Sequence, residues 1–455
     1  MNLKDRLNLL RMVLLFFGLL LIFPSSALAS DDAGTDCPIS MNDALTLERE
    51  QIEHLFKKRG ITQLIESIGA NLESSVMQYL EPRQSPDDPR PRGLLFYIGD
   101  AKVLCVIYWQ RGDRPDDRVF IVERMTLPPA ELVRLIDGAI IEMQQAEVGL
   151  SRSVVARSAG ARAQLRGMSQ AAEVPEEEQQ TAADVLTELS HHLFPGRIGQ
   201  HIAGLSSLTI LPCLNIGVVP FGALDVGAGA LADATTINVE AELRRIKNPG
   251  ALTWTPGISN PAIFGNPDAG ADEDWSFPPL PGAEREAVDI AKLLRGSAIL
   301  GAGATPDRLT AEILTADYIH IAAHGLSSVN DPLDRSFLAL TGGRLTAREI
   351  QSLKLKGFPL VVLSACQSGL GGPLDAGIVG IARAFVLAGA FNVVATLWNV
   401  DDAATAAIMV DFVDNLERMA PADALRSAQL KARSTWPHPR LWSGFMVFGS
   451  RVVTK

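Results

Sequence analysis

Apolar positions in the second half of this chain follow two alternating rhythms. Short, near-continuous apolar runs (PAIF from Pro261, then SAIL, DYIHIAA, PLVVLSA, NVVATLW and WSGFMVFG) are separated by stretches with apolar residues three and four apart. The stretches are GAEREAVDIAKLLRG, TPDRLTAEIL, TAREIQSLKL, AGIVGIARAFVLAG, DDAATAAIMVDFVDNLERM and PADALRSAQLKAR. Strands buried along their whole length and separated by helices predict an α/β fold with a mostly parallel sheet covered on both faces. Such sheets place ligand chemistry at the carboxyl ends of strands, near the point where strand order reverses.

The first half reads differently. LTLEREQIEHLFKK and GITQLIESIGANLESSVMQYLE, parted by Arg59-Gly60, predict a pair of helices with His54 on the surface of the first, and the Pro- and charge-rich EPRQSPDDPRPRG reads as a linker. GLLFYIGDAKVLCVIYWQRGDRPDDRVFIVERM then reads as a β-hairpin about Gly99-Asp100 plus a third strand. LPPAELVRLIDGAIIEMQQA is a helix, residues 150–180 are an exposed helix or loosely ordered insert, and TAADVLTELSHHLF is one more helix. His191 and His192 are adjacent and cannot both point the same way, which argues against a metal pair. HIAGLSSLTILPCLNIGVVPFGALD predicts a strand, a turn and a short apolar stretch.

Composition changes this picture at the amino terminus and in the choice of partners. A formal charge of -11 and a pI near 5.2, over 455 residues without a concentrated basic face, argue against nucleic acid as a general partner. Lys4, Arg6 and Arg11 precede an uncharged apolar run from Met12 to Phe23, and SSALAS closes the stretch. This is the pattern of a secretory signal peptide over residues 1–29, cleaved after Ala29. The rival reading is an uncleaved anchor, but the run is shorter than the roughly twenty residues that span hydrocarbon. No later stretch reads as membrane-spanning. The expectation is an exported, periplasmic or secreted protein.

Chemistry concentrates at two strand ends. DYIHIAAHG ends in His324-Gly325 and PLVVLSACQSG runs into Cys366. A thiol is mostly protonated at neutral pH, so an imidazole that accepts its proton raises the reactive fraction and can later protonate a leaving amine. The N–H groups of Gly325 and Cys366 could form an oxyanion hole. No third residue announces itself: Asp317 begins its strand at the opposite end and is not cast as an orienter, and a backbone carbonyl could hold the imidazole instead. Taken alone, a histidine after a buried strand is usually structural, as His320 is expected to be, and a cysteine in an apolar run is usually core. Cys105 and Cys213 fit that second description; at most one disulfide can form among Cys37, Cys105 and Cys213 if Cys366 stays a thiol. Seven histidines and four cysteines show no zinc-ligand cluster, LSACQSGLGG has no G-x-S-x-G, and GAGATPDRLT lacks the Lys and Ser/Thr of a phosphate loop.

Together, DYIHIAAHG, VVLSACQSGLGG, GIVGIARAFVLAGAFNVVATLWNVDDAAT, ALRSAQLKAR and HPRLWSGFMVFG resemble the CHAT domain, a caspase-like module often found beside tetratricopeptide repeats. LTILPCLNIGVVPFGALD, IFGNP and LPGAEREAVDIAKLL resemble earlier segments of the same family. The resemblance implies a caspase-like three-layer α/β fold with a mostly parallel central sheet, preceded by a small helical region and a β-hairpin. It assigns 30–92 to a helical N-terminal region and linker and 93–455 to the CHAT domain, divided into 93–251 and a catalytic part, 252–455. By the same resemblance His324 is the catalytic base, Cys366 the nucleophile and Gly325 the oxyanion-hole glycine. The first specificity pocket would be walled by Ser364, Thr396, Leu397 and Trp398, with Asp375, Asp401 and Asp402 in adjacent loops. An acid at its floor would favour Arg or Lys at the cleavage position; the other reading of the three acids is helix capping. No 34-residue repeat is visible in the N-terminal region, and Leu214-Asn215 departs from the family's turn.

The combined expectation is an exported cysteine endopeptidase that acts on polypeptide through a thioester and needs no metal or organic cofactor. Two alternatives stay open. One is a catalytically silent scaffold that binds a peptide or protein partner; the other is an envelope thiol hydrolase acting on a non-protein amide. An activator or regulatory partner is compatible with each.

Overall fold

The computed structural model describes residues 90–99, 104–111, 119–145, 176–227, 229–240, 254–271, 276–328, 330–365, 368–370, 372–374, 377–398 and 401–449. The signal segment, the N-terminal helical pair with His54, Cys37, the linker, most of the 150–180 segment, Cys366 and Asp375 lie outside the described residues.

Eleven strands form one sheet. In chain order they are β1 (Arg92–Gly99), β2 (Leu104–Arg111), β3 (Val119–Arg124), β4 (Ser207–Leu211), β5 (Thr236–Val239) and β6 (Pro261–Pro267). There follow β7 (Ala298–Gly301), β8 (Tyr318–Ala323), β9 (Leu360–Ala365), β10 (Asn392–Thr396) and β11 (Phe445–Gly449). Across the sheet the order is β3-β2-β1-β4-β5-β11-β10-β9-β8-β6-β7. Only β3-β2, β2-β1 and β11-β10 are antiparallel; the other neighbours run parallel. The fold is the expected mixed α/β architecture with a large, mostly parallel sheet. Less expected is that the early hairpin is part of that same sheet. β1 lies beside β4, and β5 pairs with β11 through Val239 and Phe448, so one ladder joins residues from both sides of position 252.

Every residue of β8 and β9 is buried, which explains their unbroken apolar character: each must shed water on both faces. Helix α1 (Pro129–Gln145) packs on α2 (Glu176–Leu193). Helix α3 (Pro281–Leu293) lies on β6 and β8, while α4 (Pro306–Ile313) connects β7 to β8. Helix α5 (Ala347–Ser352) packs on α6 (Ile381–Ala388), which covers β10. Helix α7 (Asp402–Asn415) sits between α3 and α8 (Pro421–Thr435), and α8 covers β5 and β11. A smaller antiparallel sheet of Gly325–Leu326, Phe337–Leu340 and Gly343–Thr346 follows β8 directly.

His320 is structural, as expected. It is fully buried, with Nδ1 2.9 Å from the Tyr318 hydroxyl and Nε2 2.9 Å from Glu286 Oε1 on α3. Burial, reinforced by the Glu286 carboxylate, pushes the Tyr318 phenol well above its ordinary pKa, so it stays a hydroxyl and donates to Nδ1. The Nε2–H then donates to Glu286, and three buried polar groups satisfy one another between strand and helix.

Two expectations need correction. The helix expected from Ala376 begins at Ile381; residues 377–379 instead pair with 372–374 as a short two-stranded ladder. Gly377 and Gly380 lower helix propensity around the β-branched Ile378 and Val379, so the apolar spacing alone was a poor guide. Asp375 therefore cannot cap a helix starting at Ala376. Cys105 is buried in β2, but it is also disulfide-bonded, so it is more than a small hydrophobe; Cys213 is a buried thiol that takes no part in a disulfide.

Candidate active site

β6 leads outward to β7, and the chain then crosses back to lay β8 on the other side of β6, followed by β9 and β10. Strand order reverses at β6/β8, and the carboxyl ends of β8 and β9 lie next to that point. β8 and β9 pair in parallel register with Ala323 opposite Ala365. His324 follows the first of these alanines and Cys366 follows the second. Cys366 lies outside the described residues.

The His324 ring is 4% exposed, and its Nε2 lies 2.8 Å from the carbonyl oxygen of Pro278. A carbonyl only accepts, so Nε2 carries the proton, and in the neutral ring Nδ1 becomes the acceptor nitrogen. The Phe277 ring lies against the imidazole with centroids 5.4 Å apart, and Phe277 meets Phe337 edge-on. The expected backbone carbonyl is thus present, and it comes from the approach to α3. Asp317 is engaged elsewhere: its carboxylate accepts from the Ser259 N–H at 2.7 Å and the Asn260 N–H at 3.0 Å, before β6 begins.

Gly325 lies opposite Leu338, and the Ala339 N–H donates to the His324 carbonyl at 2.9 Å. Hydrogen-bonded and non-hydrogen-bonded pairs alternate along an antiparallel ladder, so Gly325 falls in a non-hydrogen-bonded pair. Its N–H is turned away from the Leu338 strand. That leaves a backbone donor beside the imidazole, outside the small sheet's own bonding.

Around position 366 the flanking residues are tightly held. The Ala365 carbonyl accepts from the Thr396 hydroxyl at 2.5 Å and from the Ser368 N–H at 3.2 Å. The Ser368 hydroxyl donates to the Leu363 carbonyl and accepts from the Thr396 N–H, each at 3.2 Å. The Gly369 N–H donates to the Thr396 carbonyl at 2.8 Å, and a Cβ on Gly369 would meet that oxygen at 3.0 Å and the Phe448 ring at 3.2 Å. Ser368-Gly369, which close the Cys-x-x-Gly stretch, therefore dock the chain against β10 immediately after it leaves β9. Thr396→Val keeps the shape and removes the hydroxyl donor. It is expected to cost about 1 kcal/mol of stability and to slow alkylation of Cys366, checked by denaturant unfolding and by mass spectrometry after timed exposure to iodoacetamide.

The proposed pocket walls are closed. Ser364, Leu397 and Trp398 are fully buried, Thr396 is nearly so, and the Trp398 Nε1–H donates to the Arg440 carbonyl at 2.9 Å. Asp401 is the N-cap of α7, accepting from Ala403 N–H at 2.9 Å and Ala404 N–H at 3.1 Å, which is the capping alternative. Sequence reasoning did not find Pro278 or the residues that hold it. The signals present were the Pro278-Pro279 pair and the asparagine of the Gly-Asn-Pro turn at β6.

Comparison with known proteins agrees with this architecture. Tetratricopeptide repeat protein 28 of Homo sapiens is 26% identical over 268 residues, covering 50% of this chain and 11% of that protein. Its Mus musculus counterpart is 27% identical over 242 residues, covering 44% and 10%. The chain thus spans about a tenth of the length of these curated relatives. Among solved structures, the Saccharomyces cerevisiae separase–securin complex at 3.0 Å resolution matches 91% of this chain and 33% of that chain, with a TM-score of 0.54 and 10% identity. At that identity the likeness is one of fold, and the fold is caspase-like. The CHAT domain family matches residues 183–450, starting later than the expected 93 but taking in β8, β9 and the whole site. On this match over more than half its length, the chain belongs to the CHAT domain family.

Proposed function

We propose that this protein is an exported cysteine endopeptidase in which His324 serves Cys366 as base. The observation that carries the reading is the Nε2–Pro278 hydrogen bond: it leaves Nδ1 as the proton acceptor, on a ring at the end of a strand next to the one that leads to Cys366. In the reaction His324 takes the thiol proton and the thiolate sulfur attacks the peptide carbonyl carbon. The C–N bond then breaks, and the amine leaves with that proton. Water, deprotonated in turn by His324, hydrolyses the thioester to release the carboxylate and regenerate the thiol. The N–H of Gly325, with that of Cys366, would stabilise the oxyanion. Export rests on the pattern of residues 1–29, and the disulfide at Cys105 fits an oxidising compartment.

The second reading is a silent scaffold that binds a protein. Its support is the closure of the site, with His324 4% exposed and the expected pocket walls in the core. The yeast structure is a complex of separase with securin, and a protein partner for this chain is compatible with either reading.

The test is mass spectrometry of a diverse peptide library incubated with the mature chain and with Cys366→Ala. Cleavage by the unaltered chain alone, expected at a consistent residue type, supports the peptidase. Equal cleavage by both would refute it. No cleavage, with Cys366 alkylated no faster than Cys213 in the native protein, would favour the scaffold.

A further inference from the structure

The carbonyl that orients His324 lies in a stretch with few anchoring groups. Phe277 is followed by Pro278 and Pro279, neither of which has a backbone N–H, so Leu280 carries the next donor that can fasten the segment. That N–H is taken by Asn266 Oδ1 at 2.6 Å. The other end of the same amide, Nδ2, donates to Glu284 Oε2 in the first turn of α3 at 2.8 Å. Leu280 is itself the N-cap of α3 and supplies no side-chain cap; its own N–H is held from β6 by Asn266.

Asn266 is built for this place. It is 9% exposed, its φ of 46° lies in the left-handed region that asparagine tolerates better than most residues, and the β6 register shifts around it between Gly265 and Pro267. The two proline rings restrict φ between Leu280 and Phe277, making a stiff strut with one end fixed to Asn266 and the other at the ring that flanks His324.

We infer that Asn266 is the positioning residue for the base: by holding Leu280 N–H and Glu284 it sets the Pro278 carbonyl, which sets the ring orientation and tautomer of His324. The inference rests on the reading of His324 as base, and its test separates the two. In protein labelled with 15N-histidine, long-range 1H–15N correlation reports which ring nitrogen carries the proton, with His324 assigned by loss of its signals in His324→Gln. Alkylation of Cys366 by iodoacetamide is followed on the same samples.

Asn266→Gly keeps the left-handed backbone accessible and deletes both hydrogen bonds. It is expected to lose the uniform Nε2–H signature and to slow alkylation by about tenfold to a hundredfold. Asn266→Asp retains an acceptor for Leu280 but sets a carboxylate against Glu284, with the same expected loss. Adding Glu284→Gln restores a donor–acceptor pair with the roles exchanged, and both readouts are expected to recover. An unchanged Nε2–H signature in Asn266→Gly and Asn266→Asp would overturn the inference. If Asn266→Gly does not fold, recovery in Asn266→Asp/Glu284→Gln decides alone: recovery supports the clamp and its failure overturns it. Tautomer changes as expected, with alkylation indifferent to His324→Gln, would sustain the clamp and defeat the general-base reading.

Discussion

His324→Ala is expected to slow peptide cleavage by about two to four orders of magnitude, with the loss falling on kcat more than on KM. The ring lies at the carboxyl end of β8, and its hydrogen bond to Pro278 fixes which nitrogen accepts a proton. Without it, attack depends on the small thiolate fraction that a cysteine at its ordinary pKa presents near neutrality. The residual activity of His324→Ala should therefore rise with pH as the thiolate fraction grows, yet stay below that of the unaltered chain, because no imidazolium is left to hand its proton to the leaving amine. His324→Gln is a useful companion, since its amide can still donate towards Pro278 but cannot act as a base. If it matched the unaltered chain in kcat, the ring would be a fastening and not a base. Steady-state kinetics on the best library peptide, from acid to alkaline pH, makes the measurement.

Gly265→Ala is expected to produce the second large effect, on stability. An added Cβ would stand 2.5 Å from Ala287 Cβ and 2.9 Å from the Ala283 carbonyl oxygen, both on α3, and 3.1 Å from a Leu300 methyl. The carbonyl belongs to helix backbone and cannot rotate aside, so strand and helix must separate. Overpacking of this kind costs about 1–3 kcal/mol. The displacement would also be felt at the site, because Leu280 and Ala283 pack on Ala322 of β8 and Leu280 follows the Pro278 strut. Denaturant midpoints should fall for Gly265→Ala and partly recover in Gly265→Ala/Ala287→Gly, the recovery limited by the Ala283 carbonyl, which stays in place, and by glycine's poor helix propensity. An unchanged midpoint in the single variant would mean that α3 does not press on β6 as closely as described.

Why some of this could be read from the sequence and some could not follows from where the information sits. β8 and β9 are buried on both faces, so each announces itself as an apolar run, and the polar residue at the end of each run stands out: His324 and Cys366. Asp401 was legible as a cap because capping is local, acting over two or three residues. Pro278 was not, because its contribution is a backbone carbonyl, which every residue has, brought to His324 across 46 positions of chain. Glu286 looks like one polar residue among several in GAEREAVDIAKLL, yet it is 2% exposed; its partner His320 lies on a strand laid down later. The place of the hairpin was hidden for the same reason. Nothing within residues 92–111 specifies that β1 will find β4 as its neighbour.

The pairing of β5 with β11 bears on how this chain could be divided. β11, Phe445–Gly449, is buried along its whole length, and it has β10 on one flank and β5 on the other. A fragment starting near residue 252 would keep β10 but lose β5 and with it the pairing at Val239 and Phe448, leaving β11 as an edge strand of apolar residues. Such edges recruit copies of themselves, and self-association then competes with folding. That fragment is therefore expected to self-associate more than the full chain, because the edge of β11 next to Phe448 loses its neighbour.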